Sequence, residues 1–178
     1  MESGEEIIPV INRLSRSGDY DLVVATQDWH PPDHGSFASN HPDTSPFDEG
    51  ELGGLPQVFW PDHCVQGSAG AELHRDLDTR PVEAIFRKGM DAGIDSYSGF
   101  FDNGHRKDTG LRHYLQGRGV QEVHVCGLAA DICVTFTARD ALELGFRTRI
   151  IEAATRPIDA AKFERIRQKL KRKGAGVV

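Results

Sequence analysis

This sequence predicts a single α/β domain with three α-β-α layers and a mostly parallel sheet. Three observations lead there. The chain has 178 residues, enough for one domain with a full core. Short apolar runs rich in valine and isoleucine alternate with helix-like stretches. Glycines stand where those stretches should stop, as at Gly18 and Gly145. Strands that alternate with helices argue for parallel pairing, with helices on both faces.

Taken in order, Ser3-Gly4-Glu5-Glu6 has the pattern of a capping box ahead of Ile7, Ile8, Ile11 and Leu14. A helix is expected over about 5–16. Pro9 is harmless only in a first turn, so this helix starts late or is kinked. Residues 21–26 (DLVVAT) read as a buried strand. From 27 to about 70 the chain is dense in Pro, Gly, His and Asp and has no sustained periodicity. It carries Trp29, Phe37, Phe47, Phe59 and Trp60, too much aromatic surface for disorder, so an ordered active-site loop region is expected. Residues 82–86 read as a strand, 109–116 as a helix and 123–127 as a strand. Residues 131–144 read as a helix with Asp131 as N-cap and Val134, Ala138, Ala141 and Leu142 on one face. A strand at 148–152, a helix at 159–173 and a short last strand at 176–178 complete the pattern. There is no internal repeat. In such folds the first strand commonly lies mid-sheet, with ligands bound outside the strand ends near it; here the chain begins on a helix.

Composition excludes several function classes. A net charge of -6 argues against a nucleic-acid partner. The basic run 165–173 lies on an expected helix and reads as its solvated face. No run approaches the roughly 18 apolar residues of a membrane span, and the N-terminus lacks the apolar core of a secretory signal. Three cysteines, an odd number without a signal, suggest free thiols in a reducing cytoplasm. The sequence leaves a homo-oligomer open.

Asp28-Trp29-His30 follows the first strand directly. In extended backbone, residues i and i+2 point to one side, so Asp28 and His30 can reach one metal ion. Imidazoles with a carboxylate suit zinc, and also iron or manganese. His34, His41 and His63 lie in the same region. An isolated D-x-H is better read as solvated loop; five candidate ligands beyond one strand favour a metal. Cys133 stands at the start of an expected helix, where the dipole and free N–H groups lower a thiol's pKa and bind an oxyanion. The plainer alternative is a small buried apolar residue, which fits Cys126. Cys64 is undecided by position. Lys88 lies at a strand end but, taken alone, reads as a surface lysine. Tyr97 either lines a pocket or packs; Trp60 either stacks on a flat ring or is core.

Together these segments resemble nicotinamidases/pyrazinamidases of the isochorismatase-like cysteine hydrolase superfamily. The matching stretches are TQDWHPPDHGSFASNHP, WPDHCVQG, FRKG, DSYSGFFDN and CGLAADICV, in the family's order and covering nearly the whole chain from Glu5. The resemblance implies that Asp28, His30 and His63 hold a divalent metal, with His34 a position that ligates in some members. It implies that Cys133 is the nucleophile and Lys88 the catalytic lysine. Trp60 and Tyr97 would sandwich the pyridine ring. Ala129-Ala130 would be a cis peptide, forming an oxyanion hole with the N–H groups of Ala129 and Cys133. The implied reaction is hydrolysis of nicotinamide, with pyrazinamide a second substrate. It proceeds through a Cys133 thioester, while the metal binds the pyridine nitrogen and activates water. The family's first strand carries a proton-transferring aspartate in a D-x-Q-N-D-F motif, which this sequence lacks along with roughly two dozen expected residues. A late start is the favoured explanation and a degenerate paralogue the other. The chain as written is expected to be poorly soluble, weakly active or inactive. Rival functions are a related hydrolase of another small amide or isochorismate, and a non-catalytic metal- or ligand-binding paralogue.

Overall fold

The computed structural model describes residues 3–178. Its elements are α1 (Ile7–Ser15), β1 (Val23–Asp28), β2 (Glu49–Leu52), β3 (Leu55–Val58), β4 (Val82–Lys88), α2 (Leu111–Gly117), β5 (Glu122–Leu128), α3 (Thr135–Glu143), β6 (Arg147–Arg156), α4 (Ala160–Arg172) and β7 (Gly176–Val177). β1 pairs in parallel with β4, and β5, β6 and β7 pair in parallel in that order. α1 and α3 pack against β5 and β6, and α3 also against α4. The three-layer α/β architecture is the expected one. No helix is long and apolar enough to cross a membrane among the described residues.

The parallel strands form two sheets rather than one. Among the described residues β1 pairs only with β4, and β5 only with β6. Side chains join the halves: Leu22, Val24 and Phe86 share one core cluster with Val123, Ala141 and Phe146. Tyr20 adds a hydroxyl bond to His124 Nδ1 at 3.1 Å. A second core lies under α4, where Phe163, Ile166 and Leu170 make one stripe against Val134, Ala138 and Ile150. Burying each such large side chain contributes about 1.5–3 kcal/mol. The opposite face of α4 carries Arg165, Lys169, Lys171 and Arg172 into solvent, as a solvated basic face should.

Several local expectations are corrected. The capping box does not form: Ser3 makes no cap bond, and Glu6 pairs instead with Arg156 at 3.1 Å. A 3-10 turn over Gly4–Glu6 leads into α1, which starts at Ile7 and so leaves Pro9 in the first turn. The stretch expected to be irregular contains the antiparallel β2–β3 hairpin. Gly53 and Gly54 make its turn at φ of 60° and 78°, the left-handed pair that a tight two-residue hairpin requires. Asp131 is not an N-cap. It lies in a π-helical turn (Ala130–Val134) ahead of α3, and its carboxylate accepts the Ile158 N–H at 2.8 Å. β1 begins two residues later than expected and runs to Asp28, and β4 extends to Lys88. Both changes carry site residues onto strand ends.

Candidate active site

Parallel pairing of β1 with β4 makes Asp28 and Lys88 register partners at the strands' last residues. Lys88 Nζ donates to Asp28 Oδ1 and, at 2.7 Å, to the Ser96 carbonyl, and it lies 3.7 Å from Cys133 Sγ. The surface-lysine reading is thus corrected: Lys88 is 5% exposed. A buried ammonium must be paired, and this one is. Burial pulls the Lys88 pKa down, but the charges of Asp28 and Cys133 outweigh it and hold the amine above its ordinary value. Burial pushes Asp28 up, and Lys88 more than offsets this, leaving the carboxyl below its usual range. The pair is therefore ionic.

Cys133 stands in the π-helical turn between β5 and α3, directed at Lys88. Its thiol pKa is raised, the reverse of what a helix N-terminus alone would do. Burial is the largest cause; Lys88 and the Ala129 N–H favour the thiolate without overcoming it. The cis peptide is Leu128–Ala129, one bond earlier than the Ala129–Ala130 bond implied by resemblance. Both alanines are buried beside the thiol's turn. Cys126 on β5 and Cys64 in the loop have thiols pushed up to about 11 by burial.

The imidazoles come from one long loop whose two arms are joined by backbone bonds. His30 N–H donates to the Cys64 carbonyl at 3.0 Å, Gln66 N–H to His30 at 2.8 Å, and Trp60 N–H to Ser36 at 2.7 Å. These return His63 to the strand end, where ligand atoms of Asp28, His30 and His63 lie within 4.8 Å of one another. Phe37, fully buried, stands among the rings of His30, His34 and His63 at 5.5–5.6 Å. His30 Nδ1 bonds the Gly89 carbonyl and His63 Nδ1 the Pro61 carbonyl, each at 2.8 Å. A carbonyl only accepts, so both Nδ1 atoms carry the proton and both Nε2 lone pairs are free. Such outer bonds orient imidazoles that bind metals. Gly89 is required where it stands: at φ 66°, a Cβ would meet the His30 ring at 2.3 Å. These residues fit a divalent cation.

Trp60 and Tyr97 do meet, but as a corner. Trp60 Nε1 donates to the Tyr97 hydroxyl at 3.3 Å, and their rings cross at 79° with centroids 6.1 Å apart. That hydrogen bond ties the edges of the two rings expected to sandwich the pyridine ring. Phe47 adds a crossed ring beside Trp60, and Phe136 one beside Tyr97 at 5.1 Å. Gln57 donates to Tyr97 at 3.2 Å and to Asp95 at 2.9 Å. Sequence reasoning missed Gln57, Asp95 and Phe136. Asp95 had one available signal: it lies two residues before Tyr97, within the same distinctive segment.

The model of the isochorismatase domain matches residues 1–177. The nicotinamidase of Escherichia coli (strain K12) is 47% identical over 161 residues, 88% of this chain and 74% of that protein. A nicotinamidase/pyrazinamidase structure from Acinetobacter baumanii has a TM-score of 0.94 at 45% identity, covering 98% of this chain and 84% of that one. A pyrazinamidase of Pyrococcus horikoshii, in complex with zinc, has a TM-score of 0.78 at 34% identity, covering 98% and 86%.

Proposed function

This chain belongs to the isochorismatase family and is an amidohydrolase of it, and we propose that it hydrolyses nicotinamide to nicotinate and ammonia through Cys133. The observation that carries this reading is the reach of Lys88: one ammonium bonded to Asp28, beside the cation ligands, and 3.7 Å from the Cys133 sulfur. A flat carboxamide placed between them meets a nucleophile on one side and cation donors on the other.

In the proposed mechanism the Cys133 sulfur attacks the carboxamide carbon. The negative charge that develops on the carbonyl oxygen is met by the N–H groups of Ala129 and Cys133, with Lys88 close to the sulfur. The thiol proton passes to the amide nitrogen as the C–N bond breaks, so ammonia leaves an acyl thioester, and water cleaves this to the acid and restores the Cys133 thiol. Trp60 and Tyr97 form the corner that receives the ring. Asp28, His30 and His63 would hold one divalent cation. Two imidazoles and a carboxylate suit zinc, iron or manganese, and the zinc-bound relative favours zinc. Such a cation supplies Lewis-acid polarisation and a water of lowered pKa. Pyrazinamide, a second flat amide of the same size, fits the same corner. The free thiols suit a reducing cytoplasm. Turnover is expected to be slow: Asp28 already accepts from Lys88, and Asp95 from Ser96 and Gln57, so neither carboxylate is well placed to take the thiol proton.

The test is ammonia release from nicotinamide, read beside iodoacetamide alkylation of Cys133. Release abolished by Cys133→Ala, and alkylation slowed by nicotinamide, are the expected results. An unreactive Cys133 in a protein that binds the cation and ignores nicotinamide would instead mark a non-catalytic binding paralogue.

A further inference from the structure

Beside the ring corner stands an aromatic residue that the mechanism leaves unused. Phe47 is 60% exposed, and neither apolar core cluster includes it. Its backbone is left-handed, at φ 77°. A bulky residue at positive φ is an outlier, and such strain persists only where the surrounding structure enforces it. We propose that Phe47 is a further substrate-binding residue: the solvent-side lip of the pocket, whose ring packs against the heteroaromatic ring of the bound amide. The inference rests on the nicotinamide reading above and deepens it.

Hydrogen bonds on either side of Phe47 enforce the strained conformation. Its N–H donates to the Phe59 carbonyl at 2.6 Å, and the Phe59 N–H donates to the Asp48 carbonyl at 2.8 Å. The Asp48 N–H donates to the Ser45 carbonyl at 3.1 Å, while Asp48 Oδ2 accepts the Ser45 N–H at 2.8 Å. The first two bonds continue the β2–β3 ladder past its last pair, Glu49 with Val58. Phe59 is buried there: a Cβ on Gly50 would meet its ring at 2.5 Å, and the His41 ring lies 4.4 Å away. Phe47 is held instead beside Trp60. The hairpin thus spends its pairing on presenting an exposed apolar ring to the pocket wall.

Trp60 carries two crossed rings, Phe47 at 89° and Tyr97 at 79°, each with its centroid 6.1 Å away. Aromatic rings attract edge to face, so an exposed ring that gains such a partner when ligand arrives adds affinity. Phe47 has no proton to move and no polar atom to offer. Its contribution therefore falls on binding rather than on bond breaking. Backbone strain separates this role from a structural one. Glycine adopts φ 77° freely, so Phe47→Gly removes the ring and the strain together. A ring kept only for stability would make that change costly to the fold and neutral to binding.

The test reads nicotinamide KM and kcat from ammonia release, and nicotinamide Kd by calorimetry in the Cys133→Ala background. Phe47→Gly is expected to raise KM and Kd about 3–10-fold with kcat within about twofold of the parent. Its melting temperature should stay within about 2 °C of the parent's, since the strain relieved offsets the entropy gained by the unfolded chain. Phe47→Tyr, which keeps the ring, should restore the parent KM. If Phe47→Gly does not fold, Phe47→Leu carries the test, keeping apolar bulk without a ring. Unchanged KM and Kd in the folded variant, or a loss confined to kcat, would overturn the lip and leave the nicotinamide reading standing. A parent protein that neither binds nor hydrolyses nicotinamide would overturn both.

Discussion

The two poles of the site are built differently. The imidazole pole comes from one stretch, 28–65, whose arms are stitched by backbone hydrogen bonds. The sulfur pole brings Lys88 from the end of β4 to Cys133 from the turn after β5, and no strand pairing joins those two strands. One pole is fixed by local chain path; the other depends on side-chain packing between sheets. Lys88 belongs to both, since its ammonium touches Asp28 and faces the thiol.

Breaking that shared contact has the largest expected effect. Lys88→Met leaves the half-buried Asp28 carboxylate without its partner, which destabilises the fold, and turnover should fall about 10²–10³-fold. Cys133 alkylation should slow as well, because the thiolate loses its nearest cation. Unchanged alkylation would mean that the poles are independent.

Acid probes the imidazole pole. Burial lowers the His30 pKa to about 4, and it lowers that of His34 too. Both rings therefore bind protons less readily folded than unfolded, where the value is about 6.5. Their contribution to stability is present above about pH 6.5 and is lost as pH falls towards 4, about 3 kcal/mol for His30. Melting of the cation-free protein at pH 7 and pH 4.5 checks this; equal melting temperatures would contradict it.

Gly89→Ala sharpens the contrast. The new Cβ displaces the His30 ring, so cation affinity should drop about 10–100-fold while Cys133 alkylation in the cation-free protein stays near the parent rate. The smallest effect is expected of Tyr97→Phe. Loss of the hydroxyl that accepts from Trp60 and Gln57 costs about 1 kcal/mol. It should appear as a nicotinamide KM raised about fivefold with kcat little changed, as steady-state kinetics would show.

The same contrast explains what was legible in the sequence. The Asp28-Trp29-His30 spacing at a strand end conveyed the imidazole pole, because ligand direction there follows from backbone alternation. Lys88 was opaque on residue type alone; its burial follows from the β1–β4 register, a tertiary fact. The β2–β3 hairpin escaped notice because Glu49–Leu52 is mostly exposed and lacks apolar alternation, although Gly53-Gly54 was a turn signal in plain view. The capping box failed for a non-local reason, Glu6 finding Arg156 across the fold. The direction of the Cys133 shift was misjudged because a helix end can be read locally, whereas desolvation depends on everything packed around it.

The separation of the two parallel sheets has a mechanical consequence. Nucleophile and ammonium ride on opposite sides of a joint with no strand-to-strand hydrogen bonds among the described residues, so the stiffness of the gap comes from side chains: the packing of Val24, Phe86 and Val123 and the Tyr20–His124 bond. Warming should loosen that joint before the protein melts. Catalytic rate would then decline at temperatures where circular dichroism still reports an intact fold, with amide protons along the facing edges of β1 and β5 the first to exchange with solvent.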